Sequence, residues 1–206
     1  MGVAYMELNL AFRIIYLLLW LFYLLSRLIP SRRLPSLETP RADRRAALKE
    51  EGWYIIITIA VSWYGNLIIA ALYLLDPPWM LWSYLYLPAE LRILGMVIAL
   101  VLIPYTYWVG RVLADSYSDT LQIQEGQALI TTGPYRRIRH PIYASAIYFL
   151  GALVLVSDNF LFLIILILVI PGIYRRLKKE EGMMIEQFGD EYLDYMKRTG
   201  RIFPEI

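Results

Sequence analysis

The stretch "PIYASAIYFLGALVLVSDNFLFLIILILVIPGIYRR", residues 141–176, contains two apolar runs, 141–157 and 160–174, with only Asp158 and Asn159 between them. A helix that crosses the hydrocarbon core needs about 20 apolar residues. Both runs fall short of that, and a two-residue connection forces consecutive helices to fold back antiparallel. The stretch therefore predicts a tight helical hairpin in the membrane. Arg175 and Arg176 lengthen the second arm, because their aliphatic stems lie along apolar surface while the guanidinium groups reach the interface. A re-entrant hairpin that never reaches the far side is the competing reading.

Three longer runs precede the hairpin, at residues 8–29, 53–75 and 91–110. With 59% hydrophobic residues and a mean hydropathy of +0.50, the chain is more apolar than a soluble domain. The first run carries Arg13. No basic cluster precedes it and no small-residue cleavage site follows, so it reads as a retained span rather than a signal peptide. In the third run, Arg92 near the start is expected to snorkel, and Pro104 to bend the helix. Lysine and arginine are dense in residues 26–51, present in 111–140 and dense again after Tyr174, but absent from 76–88 and from the Asp158–Asn159 turn. By the positive-inside rule this alternation predicts five spans, an outside N-terminus, and a C-terminus in the cytoplasm with the three basic segments. The fold class is an all-α integral membrane protein. Residues 1–110 form a three-helix membrane region and 111–206 a second region with the hairpin and an amphipathic C-terminal helix.

Composition also removes several chemistries. The chain has no cysteine and one histidine, His140, which excludes disulfides, thiolate zinc sites, a catalytic thiol and any histidine-rich metal centre. A net charge of +2 with basic residues placed beside apolar runs speaks for topology and against nucleic acid. There is no G-x-G-x-x-G loop of the soluble dinucleotide-binding type.

The polar residues gather between spans. "GPYRRIRHPIY", residues 133–143, places Arg136, Arg137, Arg139 and His140 just before the hairpin. After Tyr174, Leu177, Met184, Phe188 and Tyr192 recur at helical spacing and predict an amphipathic helix leaving the membrane. Arg176 and Glu180, four apart, share one of its faces. Lys178, Lys179 and Glu181 belong to the same charged turn, read as a solvated helix exit. Taken singly, each residue has a plain explanation. Arg176–Glu180 is an ordinary intrahelical pair, the arginines are topological anchors, His140 before Pro141 is a helix cap, and Tyr135 and Tyr143 belong to an aromatic belt.

Taken together, "TTGPYRRIRHPIYAS", the short hairpin and "KKEEGMMIEQFGDEYLDYMKRTGRIFP" resemble the isoprenylcysteine carboxyl methyltransferase family and its phospholipid-methyltransferase relatives. The resemblance covers roughly residues 113–204 and rests on Gly-Pro-Tyr, Arg-His-Pro-x-Tyr, Glu-Glu and Phe-Gly-x-Glu-Tyr. It implies an integral-membrane enzyme that binds S-adenosylmethionine in a cytoplasmic pocket and methylates a lipophilic acceptor, foremost an isoprenylcysteine-like carboxylate, arriving through the bilayer. The implied cofactor shell comprises Gln122, Gln127, Ala128, Leu129, Ile130, Tyr135, His140, Pro141, Ile142, Tyr143 and Glu180, with Arg176 facing the acceptor. Alternatives remain open. The acceptor is a phospholipid amine or a thiol, the cofactor is a nicotinamide as in membrane sterol reductases, or the protein is not an enzyme.

Overall fold

Helix α1 (Gly2–Ser31) buries Asn9, Phe12, Tyr16, Leu19, Tyr23 and Ser26, a stripe recurring every three or four residues and therefore lying on one face. Helix α4 (Ala89–Leu113) answers with Arg92, Gly95, Ala99, Leu102, Thr106 and Val109 at the same spacing. Helix α5 (Pro141–Ser157), nine of whose residues are buried, packs along α4 and touches α1, where Tyr23 stacks on Phe149 with ring centroids 3.9 Å apart. Gly95 permits this closeness. A Cβ there would meet Leu155 Cβ at 2.7 Å and Ala152 O at 2.8 Å, so the α4 and α5 backbones approach only because nothing projects between them.

This computed structural model describes residues 2–31, 53–113 and 129–205, and among them every regular element is helical. The second run becomes α2 (Trp53–Ala60), a π-helical turn (Val61–Gly65) and α3 (Asn66–Leu75). A 3₁₀ helix, η1 (Pro78–Ser83), leads into α4. A second 3₁₀ helix, η2 (Gly133–Arg136), precedes α5, and α6 (Phe160–Phe188) and α7 (Asp190–Lys197) complete the chain. The basic segment 32–52 lies outside the described residues.

Among the described residues, four helical segments are long and apolar enough to cross a membrane: Asn9–Ile29, Ile56–Leu75, Ala89–Leu113 and Phe160–Phe188. The fifth run, α5, has 17 residues and rises about 25 Å against a core of about 30 Å. The hairpin forms as the sequence predicts. Pro141 starts α5 at its first helical position, where a missing N–H costs nothing, and the Asn159 side chain caps α6 by accepting from Leu161 N. The turn is sewn into its surroundings, since Leu85 N donates to Asp158 O, Leu87 N to Asp158 Oδ1 and Asn159 Nδ2 to Ser83 Oγ at 2.6 to 2.9 Å.

The second hairpin arm runs past Tyr174 into the charged segment as one helix of 29 residues, as the spacing after Tyr174 predicts. Two expectations are corrected. The C-terminal amphipathic segment is two helices, because Gly189, at φ 53°, ends α6 and puts Tyr192 on α7. Arg92 does not snorkel. It is 1% exposed, donating Nε to Val156 O and Nη1 to Asn9 Oδ1 and stacking 3.8 Å above the Phe12 ring, because α1 and α5 offer partners closer than the interface.

Candidate active site

At the end of the bundle opposite the Asp158–Asn159 turn, the first turn of α5 faces the charged part of α6. The geometry is set by a chain of hydrogen bonds. Arg176 Nε donates to Tyr143 OH at 2.8 Å and to Glu180 Oε1 at 3.2 Å, and Tyr143 OH donates to the same Glu180 oxygen. His140 Nδ1 lies 3.5 Å from Glu180 Oε2. Arg176, Tyr143, Glu180 and His140, far apart in sequence, thus form one cluster across the two arms. Its members are neither fully buried nor fully open, with Arg176 and Glu180 side chains 15% and 22% exposed.

Behind this cluster lies a second, tighter one. Glu181, only 3% exposed, accepts from Arg139 Nε at 3.1 Å and from Arg201 Nε at 3.0 Å, and Arg201 Nη2 adds a further short bond to its other oxygen. His140 Nε2 stands 3.4 Å from Glu181 Oε1 yet is buried without a hydrogen bond. The C-terminal segment closes the arrangement. Arg139 N donates to Gly200 O, His140 N to Arg201 O, and Gly200 N back to Arg137 O, at 2.8 to 3.1 Å. Arg139 Nη1 also holds the carbonyls of Met196 and Thr199. Tyr195 OH donates to Tyr135 O at 2.7 Å. Burial pushes the Tyr195 phenol up to about 12 and raises that of Tyr192 too, so both remain neutral at physiological pH. The hydrogen bond to Glu181 holds the Arg201 guanidinium above its ordinary pKa.

Of the residues singled out in the sequence, the structure gathers Arg176, Tyr143, Glu180 and His140. Pro141 and Ile142 form the start of α5 that presents Tyr143. Tyr135 sits in η2 with its carbonyl pinned by Tyr195. Leu129 and Ile130 are half-buried in the chain leading to η2, and Gln122, Gln127 and Ala128 lie outside the described residues. His140 occupies the N-cap of α5, but its side chain makes no capping bond because it is turned to the glutamates. Glu181 and Arg201 are the residues that the sequence reading missed. The signal was present: Leu177, Glu181, Met184 and Phe188 are spaced four, three and four apart, so Glu181 interrupts the apolar stripe instead of extending the charged face, and a carboxylate there requires buried cations. Among the described residues no group of three His, Asp or Glu is arranged to hold a metal ion.

With this geometry in place, comparison with known proteins gives two matches. Residues 92–186 match the isoprenylcysteine carboxyl methyltransferase (ICMT) family. The matched part runs from the buried Arg92 past Glu181 and so contains the hairpin and both clusters except Arg201. Over 98 residues, 48% of this chain, the protein is 29% identical to the nickel-cobalt-cadmium resistance protein NccN of Alcaligenes xylosoxydans xylosoxydans. The matched part covers 45% of that protein, so the chain spans less than half the length of this curated relative.

Proposed function

We propose that this chain, whose residues 92–186 match the isoprenylcysteine carboxyl methyltransferase family, is a membrane-associated methyltransferase that transfers the methyl group of S-adenosylmethionine to the carboxylate of a lipophilic, isoprenylcysteine-like acceptor. The observation that carries this reading is the Arg176–Tyr143–Glu180–His140 cluster, which sets a cation, an anion, a phenol and an imidazole side by side at the end of an apolar hairpin.

The donor set fits a zwitterionic sulfonium cofactor. Glu180 is a partly exposed carboxylate suited to an ammonium, and the His140 imidazole, whose Nδ1 lies 3.5 Å from Glu180 Oε2, would answer the cofactor's carboxylate end. Tyr135, Tyr143 and the apolar Leu129 and Ile130 would enclose the adenosine, with Gln122, Gln127, Ala128, Pro141 and Ile142 completing the shell. Bound there, S-adenosylmethionine supplies a methyl group already activated by its positive sulfur.

The protein's own work is then positional. A carboxylate acceptor, with a reference pKa near about 4, is ionised at neutral pH and needs no general base. Arg176 orients it, through contacts of the two-pronged kind that guanidinium groups make with carboxylates. Tyr143, bonded to Arg176 Nε, fixes where that guanidinium points. The apolar arms of the hairpin keep water from the reacting atoms, which strengthens each charge interaction there.

The test is to incubate membranes containing the protein with methyl-labelled S-adenosylmethionine and to identify the labelled lipid-soluble product by mass spectrometry. A base-labile methyl ester, absent with Arg176→Ala, is the expected result. A base-stable label would assign the acceptor to an amine or thiol, and no label from any prenylated, thiol or phospholipid acceptor would overturn the methyltransferase reading.

A further inference from the structure

At the opposite end of the bundle, a feature independent of the methyl-transfer site points to a second ligand. Arg13 of α1 pairs with Asp76 at the end of α3, and its Nη2 also donates to Tyr84 OH at 3.0 Å. Tyr84 OH in turn donates to Asp76 Oδ1 at 2.8 Å. This uses one guanidinium nitrogen. Nε is buried without a partner, and no hydrogen bond engages Nη1 among the described residues. Asp76 stays partly open, its side chain 32% exposed.

The depth of this pair is marked by its neighbours. Trp79 and Trp82, in η1 just after Asp76, are 59% and 60% exposed, and exposed tryptophans at a helix end sit at headgroup level. Directly below, α1 and α3 leave a groove of about 140 Å³ lined by Leu17, Trp20, Leu67, Ala71 and Leu74, with Tyr16 in its wall. Tyr16 and Leu17 follow Arg13 by three and four residues, so they lie on its helical face one turn deeper. From Arg13 to Trp20 the groove descends about 10 Å. Its volume resembles a cavity that accepts a benzene-sized apolar group, enough for a segment of one acyl chain.

We propose that this groove binds one amine-bearing, zwitterionic phospholipid from the leaflet on the side of the Asp158–Asn159 turn. Its phosphate bonds Arg13, its ammonium meets Asp76 and the upper acyl chain fills the groove, whose exposed lining is wholly apolar. Charge complementarity chooses the class: a neutral pair of one cation and one anion matches a headgroup of the same make-up. A net-negative headgroup would set a second anion against Asp76, and an uncharged one would offer no anionic acceptor to the Arg13 Nη1 edge that Asp76 and Tyr84 leave unused.

The test is native mass spectrometry of the full chain, purified in mild detergent and exchanged against equimolar phosphatidylethanolamine, phosphatidylglycerol and diacylglycerol. The wild type should retain one phosphatidylethanolamine, preferred over diacylglycerol by on the order of tenfold, the factor one charge-assisted contact supplies. Ala71→Phe, which fills the groove and leaves the Arg13–Asp76 pair intact, should lose it. Water-soluble phosphoethanolamine should not displace it. Equal retention by wild type and Ala71→Phe, a preference for phosphatidylglycerol or diacylglycerol, or displacement by phosphoethanolamine would each overturn the proposal.

Discussion

The adjacent Glu180 and Glu181 should separate function from folding when each is replaced by alanine. Glu181 is 3% exposed and is the shared acceptor of Arg139 and Arg201, with His140 Nε2 beside it. Removing one partner of a buried ion pair costs about 3–5 kcal/mol, because the other charge is left unpaired in a poor solvent. The Arg201 side chain, 30% exposed, can turn to water; that of Arg139, 10% exposed, cannot. The lower end of that range, about 3 kcal/mol, therefore applies. For a chain of this size 1 kcal/mol shifts Tm by about 2–4 °C, so Glu181→Ala should lower Tm by roughly 6–12 °C. Glu180 is more open, and Arg176 keeps Tyr143 when it is lost. Glu180→Ala should cost about 1 kcal/mol or less and lower Tm by no more than about 4 °C. Its effect on S-adenosylmethionine should be larger. A charge-assisted hydrogen bond is worth about 1.5–3 kcal/mol, which is about 10- to 150-fold in Kd. Thermal unfolding in detergent, followed by intrinsic fluorescence, and calorimetric titration measure the two quantities on the same samples. A Glu181→Ala protein whose Tm falls by less than about 2 °C, or a Glu180→Ala protein with unchanged cofactor affinity, refutes the division of roles.

Tyr143→Phe removes the hydroxyl shared by Arg176 and Glu180, and should lower kcat/KM for the acceptor by about tenfold, one hydrogen bond's worth. Steady-state kinetics with the labelled cofactor check this, and an unchanged value sinks the positioning role of the phenol. Gly95→Val places a branched side chain against Ala152 O and Leu155 Cβ, less than 3 Å from where its Cβ must sit; backbone cannot yield there, and a loss of about 1–3 kcal/mol or more should appear as a lower Tm and poor yield.

Much of this was legible from residue order. The hairpin follows from two runs and a two-residue turn, whereas the buried faces of α1 and α4 do not follow, because both runs are apolar on every side and the buried positions include Asn9, Ser26, Arg92 and Thr106. What escaped depended on partners distant in sequence. Arg92 sits at a helix start, where snorkelling is the usual outcome, but its fate was set by Asn9 and Val156, 83 and 64 residues away. The return of Gly200 to bond Arg137 and Arg139 leaves no periodic trace at all. Glu181 failed for another reason: within "KKEEG" its charge was averaged with its neighbours, when its register on the helix distinguished it. Gly189 was readable as a break, yet the spacing from Phe188 to Tyr192 carried the helical period across it.

The two clusters differ in how firmly they hold their charges, and that difference has a chemical use. Glu181 is fixed by two arginines and buried, so it serves as a frame. Glu180 and Arg176 form an i,i+4 pair of a kind worth only about 0.3–0.5 kcal/mol when partly exposed. Such a pair exchanges partners readily. An ammonium that engages Glu180 withdraws it from Arg176, and a carboxylate that engages Arg176 withdraws it from Glu180. Each ligand thereby removes the competitor of the other, so their affinities are coupled, and by linkage the coupling is equal in both directions. Tyr143, bonded to both, gives each a remaining hydrogen bond while the other is engaged. A strong pair at this position would resist both ligands, and an unpaired arginine and glutamate would each carry the desolvation penalty alone. The weak pair sits where the ligands are proposed to arrive, and the strong network stands behind it.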